Sequence, residues 1–412
     1  MATQPLNVLW LIDHVCYDGS LHAGGRLYMN VFPRVDDSRV RIHPYFLRAT
    51  EGVSNHFRES NHPVINLGLG KYNVLSPLKV AQLVRKHKID VMHLFCFGSS
   101  TFGRMASLWH RVPTVIHEFD TPTYGPYPAT YKALDKMLVG RTNFALGAST
   151  HCVDFIHTQR SIPRDKIEVL YHAVPSDKYE IARTLTREAA RQQLGWDDGR
   201  FVFLAVTKLG PDRGNKTLLA AFEVVRKQIP NARLCMVYQP TLYHRMPVRY
   251  KDTPWLIDPE TTRTRILQLI DQHGLHDSVS LVEMKSPVKH EPYYAASDVL
   301  VAPFQGNLFS SVNLIEAMVF GLPHIVTDIG EPADIVDRWG AGVKVPQKNP
   351  AELAKAMIEF ARNDALRKSL SQKARTVAVE FGVQSVADRL TRLYTRLAKA
   401  DQMHSERVGA TG

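Results

Sequence analysis

The stretch FQGNLFSSVNLIEAMVFGLPHIVTD, residues 304–328, decides how this chain is read. A polar loop gives way to a run of helix formers, then to a glycine turn and a short apolar strand. Ser310, Ser311 and Asn313 are all good helix caps, because short polar side chains accept from the free N–H groups of a first turn. Glu316 falls in the first turn of the helix so started, whose N–H groups are suited to phosphate or sugar oxygens. A plainer reading competes: Asn313 and Glu316 have the spacing of a capping box, which satisfies the helix start and nothing more. Upstream, YYAASDVLVAP (293–303) ends in a buried-strand signature. Strand, helix, strand in that order implies a right-handed crossover and a parallel sheet.

Working outward, the same alternation extends over most of the chain. Apolar runs at residues 7–12, 40–47, 64–67, 90–95, 114–117, 144–147 and 166–171 are separated by helix-like stretches such as 77–88 and 101–111. A polar, charged segment at 176–199 interrupts the pattern, which restarts at 201–207 and closes with amphipathic helices. The expected organisation is two α/β domains. The first spans 1–180 and the second 200–380, joined by a linker at 181–199. A closing helix at 381–400 should pack back on the first domain, followed by a tail at 401–412. Open parallel sheets bind ligands beyond the carboxyl ends of their strands, so a cleft faced by two such sheets is the natural site.

With 51 Lys and Arg against 40 Asp and Glu in 412 residues, the net charge is +11. That favours anionic partners. Four scattered cysteines without a paired spacing argue against a disulfide framework and for a reducing, cytoplasmic setting. The amino terminus lacks a basic region followed by a long apolar run, so a signal peptide is not expected. No apolar run is long enough to span a bilayer.

Two further segments carry chemistry. Gly24 and Gly25 follow the first strand, where glycine lets backbone N–H groups approach a phosphate; taken alone, the pair is better explained by a plain strand-to-helix turn. In AVTKLGPDRGNKTLLAAF (205–222), a strand ends at Lys208 and Arg213-Gly214 precede a helix. Two cations on one strand-to-helix loop can converge on an anion such as a diphosphate. No cysteine/histidine cluster, HExxH or Asp-x-Asp points to a metal, and no metal is expected.

Together these segments resemble glycosyltransferase family four. Residues 206–222 resemble its GRLxxxKGxxxLIxAF segment, 314–328 its LLEAMACGLPVVATD segment, and 293–303 its lYaaADvfvlPS segment. Gly24-Gly25, DVMH (90–93) and PTVIH (113–117) match weaker features in the right order. The resemblance implies a GT-B fold, two Rossmann-like domains, with a nucleotide diphosphate sugar as co-substrate. By it, Lys208 and Arg213 hold the donor diphosphate with their identities exchanged, and Glu316 binds the nucleotide ribose. The first Glu of the family's Glu-x7-Glu motif is replaced by Leu308, leaving Asn307, Ser310, Ser311, Val312, Asn313 and the loop amides to hold the sugar. His117 matches the family histidine near the donor sugar. Glu118 and Asp120, just beyond it, are candidates to bind or activate the acceptor hydroxyl. YHAVP (171–175) replaces the family's NGVD run, with His172 in the Asn place.

The resemblance further implies transfer with retention of anomeric configuration by a front-face route. The leaving phosphate helps deprotonate the acceptor, and the protein stabilises charge developing on the diphosphate. The acceptor is expected to be a glycan or a lipid-linked hydroxyl. Basic, partly apolar stretches at 77–88 and 129–141 have two readings: a surface resting on anionic lipid, or helices packed on a sheet with solvated cations. Nucleic acid is not an expected partner, for no aromatic-interleaved basic stripe occurs. The alternative function is a non-catalytic relative that binds a nucleotide sugar or a partner protein.

Overall fold

The computed structural model describes residues 4–14, 16–17, 20–21, 23–48, 65–69, 73, 75–119, 127–196, 199–209, 213–238, 259–284, 289–305 and 312–410. The chain divides into two compact units, Met1–Ala173 with Phe381–Gly412, and Val174–Glu380.

The first unit contains β1 (Leu6–His14), a small antiparallel hairpin of β2 (Cys16–Tyr17) and β3 (Ser20–Leu21), α1 (Ala23–Val31) and β4 (Val40–Arg48). It continues with α2 (Ser76–Lys86), β5 (Val91–Phe95), α3 (Cys96–Ala106), β6 (Thr114–Glu118), α4 (Ala129–Leu138), β7 (Phe144–Gly147), α5 (Thr150–Arg160) and β8 (Ile167–Val169). Six strands pair in the order β4-β1-β5-β6-β7-β8, all parallel. Every residue of β5, β6 and β7 is buried, as strands covered on both faces must be. The period-two alternation of β1 sorts its side chains: Val8, Trp10 and Ile12 enter one core and Leu9 and Leu11 the other.

The second unit contains α6 (Ser176–Thr184), α7 (Arg187–Leu194), β9 (Phe201–Thr207), α8 (Asn215–Gln228), β10 (Ala232–Tyr238), α9 (Pro259–Gln272) and β11 (Val279–Glu283). Then follow α10 (Glu291–Ala296), β12 (Val299–Ala302), α11 (Val312–Val319), β13 (His324–Thr327), α12 (Gly330–Trp339), β14 (Gly342–Val345), α13 (Pro350–Arg362) and α14 (Asp364–Ala378). Its sheet, again parallel, runs β11-β10-β9-β12-β13-β14. The strand order therefore reverses between β9 and β12, which is where open α/β sheets bind ligands.

Three expected boundaries move. Residues 181–199 are not a linker. Thr186 caps α7 by accepting from the Ala189 N–H at 3.1 Å, and the Arg191 guanidinium donates to the carbonyls of Ala296 (3.0 Å) and Arg200 (2.9 Å). Tyr179 donates to the Ala378 carbonyl at 2.5 Å, so the second unit starts at Val174. The closing helix α15 (Val383–Ala410) belongs to the first unit, where Val386, Leu390 and Tyr394 join the core around Trp10. That helix runs through most of the expected tail. Finally, α3 begins at Cys96 rather than Thr101, directly from β5, with Cys96 at a φ of 69°.

Candidate functional site

At the switch point of the second sheet, β9 ends at Thr207 and delivers Lys208 to its carboxyl edge. The Lys208 carbonyl accepts from Asn215 Nδ2 at 3.1 Å, which ties the loop's start to the start of α8. Gly214 caps that helix at a φ of 69°, and a Cβ there would lie 1.7 Å from the Pro303 carbonyl oxygen. Only glycine lets the loop after β9 approach the end of β12 so closely. Neighbouring Arg213 sits with its guanidinium carbon 5.6 Å from the centre of the Phe304 ring. Gln305 donates to Thr217 Oγ1, and Thr327 Oγ1 donates to the Phe304 carbonyl at 2.7 Å. Lys208 and Arg213 thus stand at the two ends of a short connection, residues 210–212 of which lie outside the described residues, and Gly214 beside Arg213 packs against the end of β12. Sequence spacing found the two cations but not the glycine contact beside Arg213.

Glu316 is buried in the second turn of α11, not the first, because the helix starts at Val312. Asn313 lies inside that helix, so it does not cap it, and the capping-box reading of the Asn313–Glu316 pair fails. Tyr294 donates to Glu316 Oε2 at 3.3 Å. Nearby, the Lys178 ammonium pairs with Glu291. Burial alone would depress the Lys178 pKa, but its bond to Glu291 and the charges of Glu316 and Glu291 raise it. Ser310, Ser311, Leu308 and Asn307 lie outside the described residues, as does Asp120.

The first unit arranges its polar groups differently. Gly24 and Gly25 are buried inside α1 rather than in a loop before it. Of the helices that follow the two strands at this unit's switch point, α3 has its start occupied by the protein's own Asp13. Asp13 Oδ2 accepts from the Gly98 N–H at 3.0 Å, while Oδ1 pairs with Arg48 at 2.7 Å. A Cβ on Gly98 would meet that carboxylate at 2.5 Å.

Glu118 is not an open acceptor-side carboxylate. It ends β6 almost fully buried and pairs with Arg160. Arg160 also donates to both oxygens of Asp135 (3.2 and 3.0 Å), which Arg104 and Tyr127 share. Two guanidinium groups and two carboxylates therefore neutralise each other in the interior. Burial would depress the pKa of Arg160, yet Glu118 and Asp135 hold it above its ordinary value.

His117, in β6, has no exposed surface. Its ring lies 5.3 Å from that of His93, the planes 9° apart, with His93 Nε2 3.2 Å from His117 Nδ1. On the far side, His93 Nδ1 lies 2.5 Å from the Tyr394 hydroxyl, which also accepts from Trp10 Nε1 at 2.9 Å. His117 Nε2 is buried with no hydrogen-bond partner among the described residues. Burial lowers the His93 pKa to about 3; burial and the neighbouring histidines push His117 well below its ordinary value. Both rings are neutral near pH 7. The sequence singled out His117 but not this chain, whose members lie far apart in sequence.

No group of three or more His, Cys, Asp or Glu among the described residues is placed to hold a metal ion. Nor is any described helix long and apolar enough to cross a membrane.

The chain resembles known proteins over most of its length. A family profile described as Glycosyl transferases group 1 matches residues 186–377, and one described as Glycosyltransferase Family 4 matches residues 39–178. The D-inositol 3-phosphate glycosyltransferase of Streptomyces avermitilis is 25% identical over 335 residues, 77% of this chain and 67% of that protein. An exopolysaccharide phosphotransferase of Streptomyces coelicolor is 29% identical over 135 residues, 32% of this chain. The chain matches only 14% of that relative's length. Among solved structures, Anabaena HepE in complex with UDP superposes with a TM-score of 0.75 at 19% identity, covering 95% of this chain and 100% of that one. Its complex with UDP-glucose gives 0.69 at 18%, with the same coverage. At that identity the likeness is one of fold.

Proposed function

This chain belongs to glycosyltransferase family four and has the GT-B fold, and on that premise we propose that it transfers a sugar from a nucleoside diphosphate sugar to an acceptor hydroxyl. The observation that carries the reading lies at the β9/β12 switch point, where Lys208 follows β9 and Arg213 precedes Gly214, which packs on Pro303 at the end of β12. Two cations at the ends of one strand-to-helix connection suit a leaving diphosphate, because their positive charge stands where negative charge develops. The start of α3, after β5 of the first unit, is filled by Asp13, which supports the second unit as the one that takes the phosphates.

In this reading the donor is a hexose-type nucleotide sugar, with Glu316 on the ribose and Lys208 and Arg213 on the diphosphate. The UDP in the HepE structures makes uracil the first base to try. Transfer retains anomeric configuration and needs no metal. The leaving phosphate, not Glu118, takes the acceptor proton, since Glu118 is committed to Arg160. The acceptor is a glycan or lipid-linked hydroxyl. The test is incubation with UDP-, GDP- and ADP-hexoses, reading nucleoside diphosphate release and the product's anomeric configuration by NMR, with chelator present and absent. Release from one base, abolished in Lys208→Ala, is expected. Absence of release from every donor, with and without acceptor sugars, contradicts the reading.

A further inference from the structure

The chain Trp10–Tyr394–His93–His117 has a direction that hydrogen-bond valence dictates. The indole Nε1–H of Trp10 can only donate, so at Tyr394 the hydroxyl oxygen accepts from it at 2.9 Å. The hydroxyl proton of Tyr394 has one partner among the described residues, His93 Nδ1 at 2.5 Å. If that proton is donated, His93 Nδ1 is an acceptor and the neutral ring carries its proton on Nε2. His93 Nε2–H then donates to His117 Nδ1 at 3.2 Å, which leaves the proton of neutral His117 on Nε2. The opposite direction would strand the Tyr394 hydroxyl proton, and an unmade bond in a dry interior is expensive. Trp10, His93, His117 and Tyr394 are all fully buried, so water does not compete for these groups.

We propose that Tyr394 and His93 are positioning residues that fix His117 as an Nε2–H donor, so that the ligand atom it meets is a hydrogen-bond acceptor such as a sugar oxygen. His117 is accordingly no general base, because its Nε2 has no free lone pair. The unsatisfied Nε2 in an otherwise closed chain is the mark of a group kept for a ligand. The relay itself stands on the hydrogen bonds; only the identity of the ligand oxygen rests on the glycosyl-transfer reading. The design also assigns a task to α15, which follows the second unit in sequence yet supplies Tyr394 to the interior of the first.

The test is a long-range nitrogen-15 spectrum of the full chain labelled at histidine, with the His117 resonances identified by their loss in His117→Gln. The wild type should show His117 as one neutral tautomer protonated at Nε2 from pH 5 to 8. Tyr394→Phe removes the anchoring hydroxyl at nearly constant volume, and should leave His117 averaged between tautomers. Its kcat/KM with whichever of the UDP-, GDP- or ADP-hexoses the wild type turns over should fall roughly tenfold, the effect of one hydrogen bond, and this loss should vanish in a His117→Gln background. A wild-type His117 protonated at Nδ1 overturns the proposal, and that spectrum decides even where Tyr394→Phe does not fold. A His117 tautomer indifferent to Tyr394→Phe overturns it as well, whatever the activity. A tautomer that follows Tyr394 in a chain that turns over no nucleotide sugar upholds the relay and defeats the functional reading instead.

Discussion

The two units begin their sheets with the same device and finish them with opposite ones. In the first, Asp90 precedes β5; its Oδ2 accepts from the Asn7 N–H at 2.7 Å and its own N–H donates to the Asn7 carbonyl at 2.8 Å. In the second, Asp298 precedes β12 and repeats both bonds on Val202, at 2.8 and 2.9 Å. An Asp-Val step thus sets the register of the central strand pair at the amino ends of both sheets. At the carboxyl ends the units part. The first plugs its switch-point helix with Asp13 and fills its interior with a balanced ion network and a histidine relay. In the second, Lys208 and Arg213 stand at the carboxyl edge after β9, beside a Gly214 packed on Pro303 at the end of β12. The difference teaches that a shared scaffold leaves the chemistry to whatever stands after the strands.

The comparison breaks most easily at the buried charges of the first unit. Arg160→Met leaves Glu118 and Asp135 without their main partner and should destabilise by about 3–5 kcal/mol in denaturant unfolding. Arg191→Met in the second unit removes an Asp298 partner with some access to water and should cost about 1–2 kcal/mol. Equal losses would erase the contrast. Next in size, Gly214→Ala forces a Cβ onto the Pro303 carbonyl at a positive φ, for a loss of about 3 kcal/mol and of nucleotide binding. Tight binding in that variant would show that the Gly214–Pro303 contact does not position Lys208 and Arg213.

Acid should separate the units more gently. Burial holds His93 at about 3 and His324 at about 4, and His117 well below its ordinary value, so all three are lower folded than unfolded. As pH falls below about 6.5 the unfolded chain takes up protons the folded chain refuses. Stability present above that pH is therefore lost on acidification, by about 1.4 kcal/mol per pH unit for each histidine. His93 and His117 lie in the first unit and His324 in the second, so the first should show the steeper slope between pH 6 and 4.5. Hydrogen exchange resolved by peptide measures this. Smallest of all, Asp13→Asn keeps a cap for α3 but loses the charge facing Arg48, for about 1 kcal/mol.

How much of this was legible in the sequence follows the same division. Lys208, Arg213 and Gly214 stand within one loop, so spacing alone brought the cations together, and the parallel sheets followed from alternating apolar runs. Chain position misled at Gly24 and Gly25, which read as a loop but continue into α1. It misled again at residues 181–199, whose charge suggested a linker although Arg191 anchors them to the second unit. The relay was out of reach for a different reason: Trp10 and Tyr394 are separated by most of the chain, and no local pattern reports a hydroxyl that crosses such a distance. Glu118 read as a site carboxylate because Arg160, its partner in the fold, and Asp135, which shares that guanidinium, lie on two later helices.

The most direct test of the account is thermal unfolding of the intact chain with UDP, GDP and ADP and their hexose conjugates, repeated on Lys208→Ala and Glu316→Ala. One nucleotide at about 100 times its dissociation constant should stabilise the wild type by roughly 2.7 kcal/mol, and both variants should lose the effect. Stabilisation that persists undiminished in both variants, or none from any nucleotide, would contradict a donor site at the β9/β12 switch point.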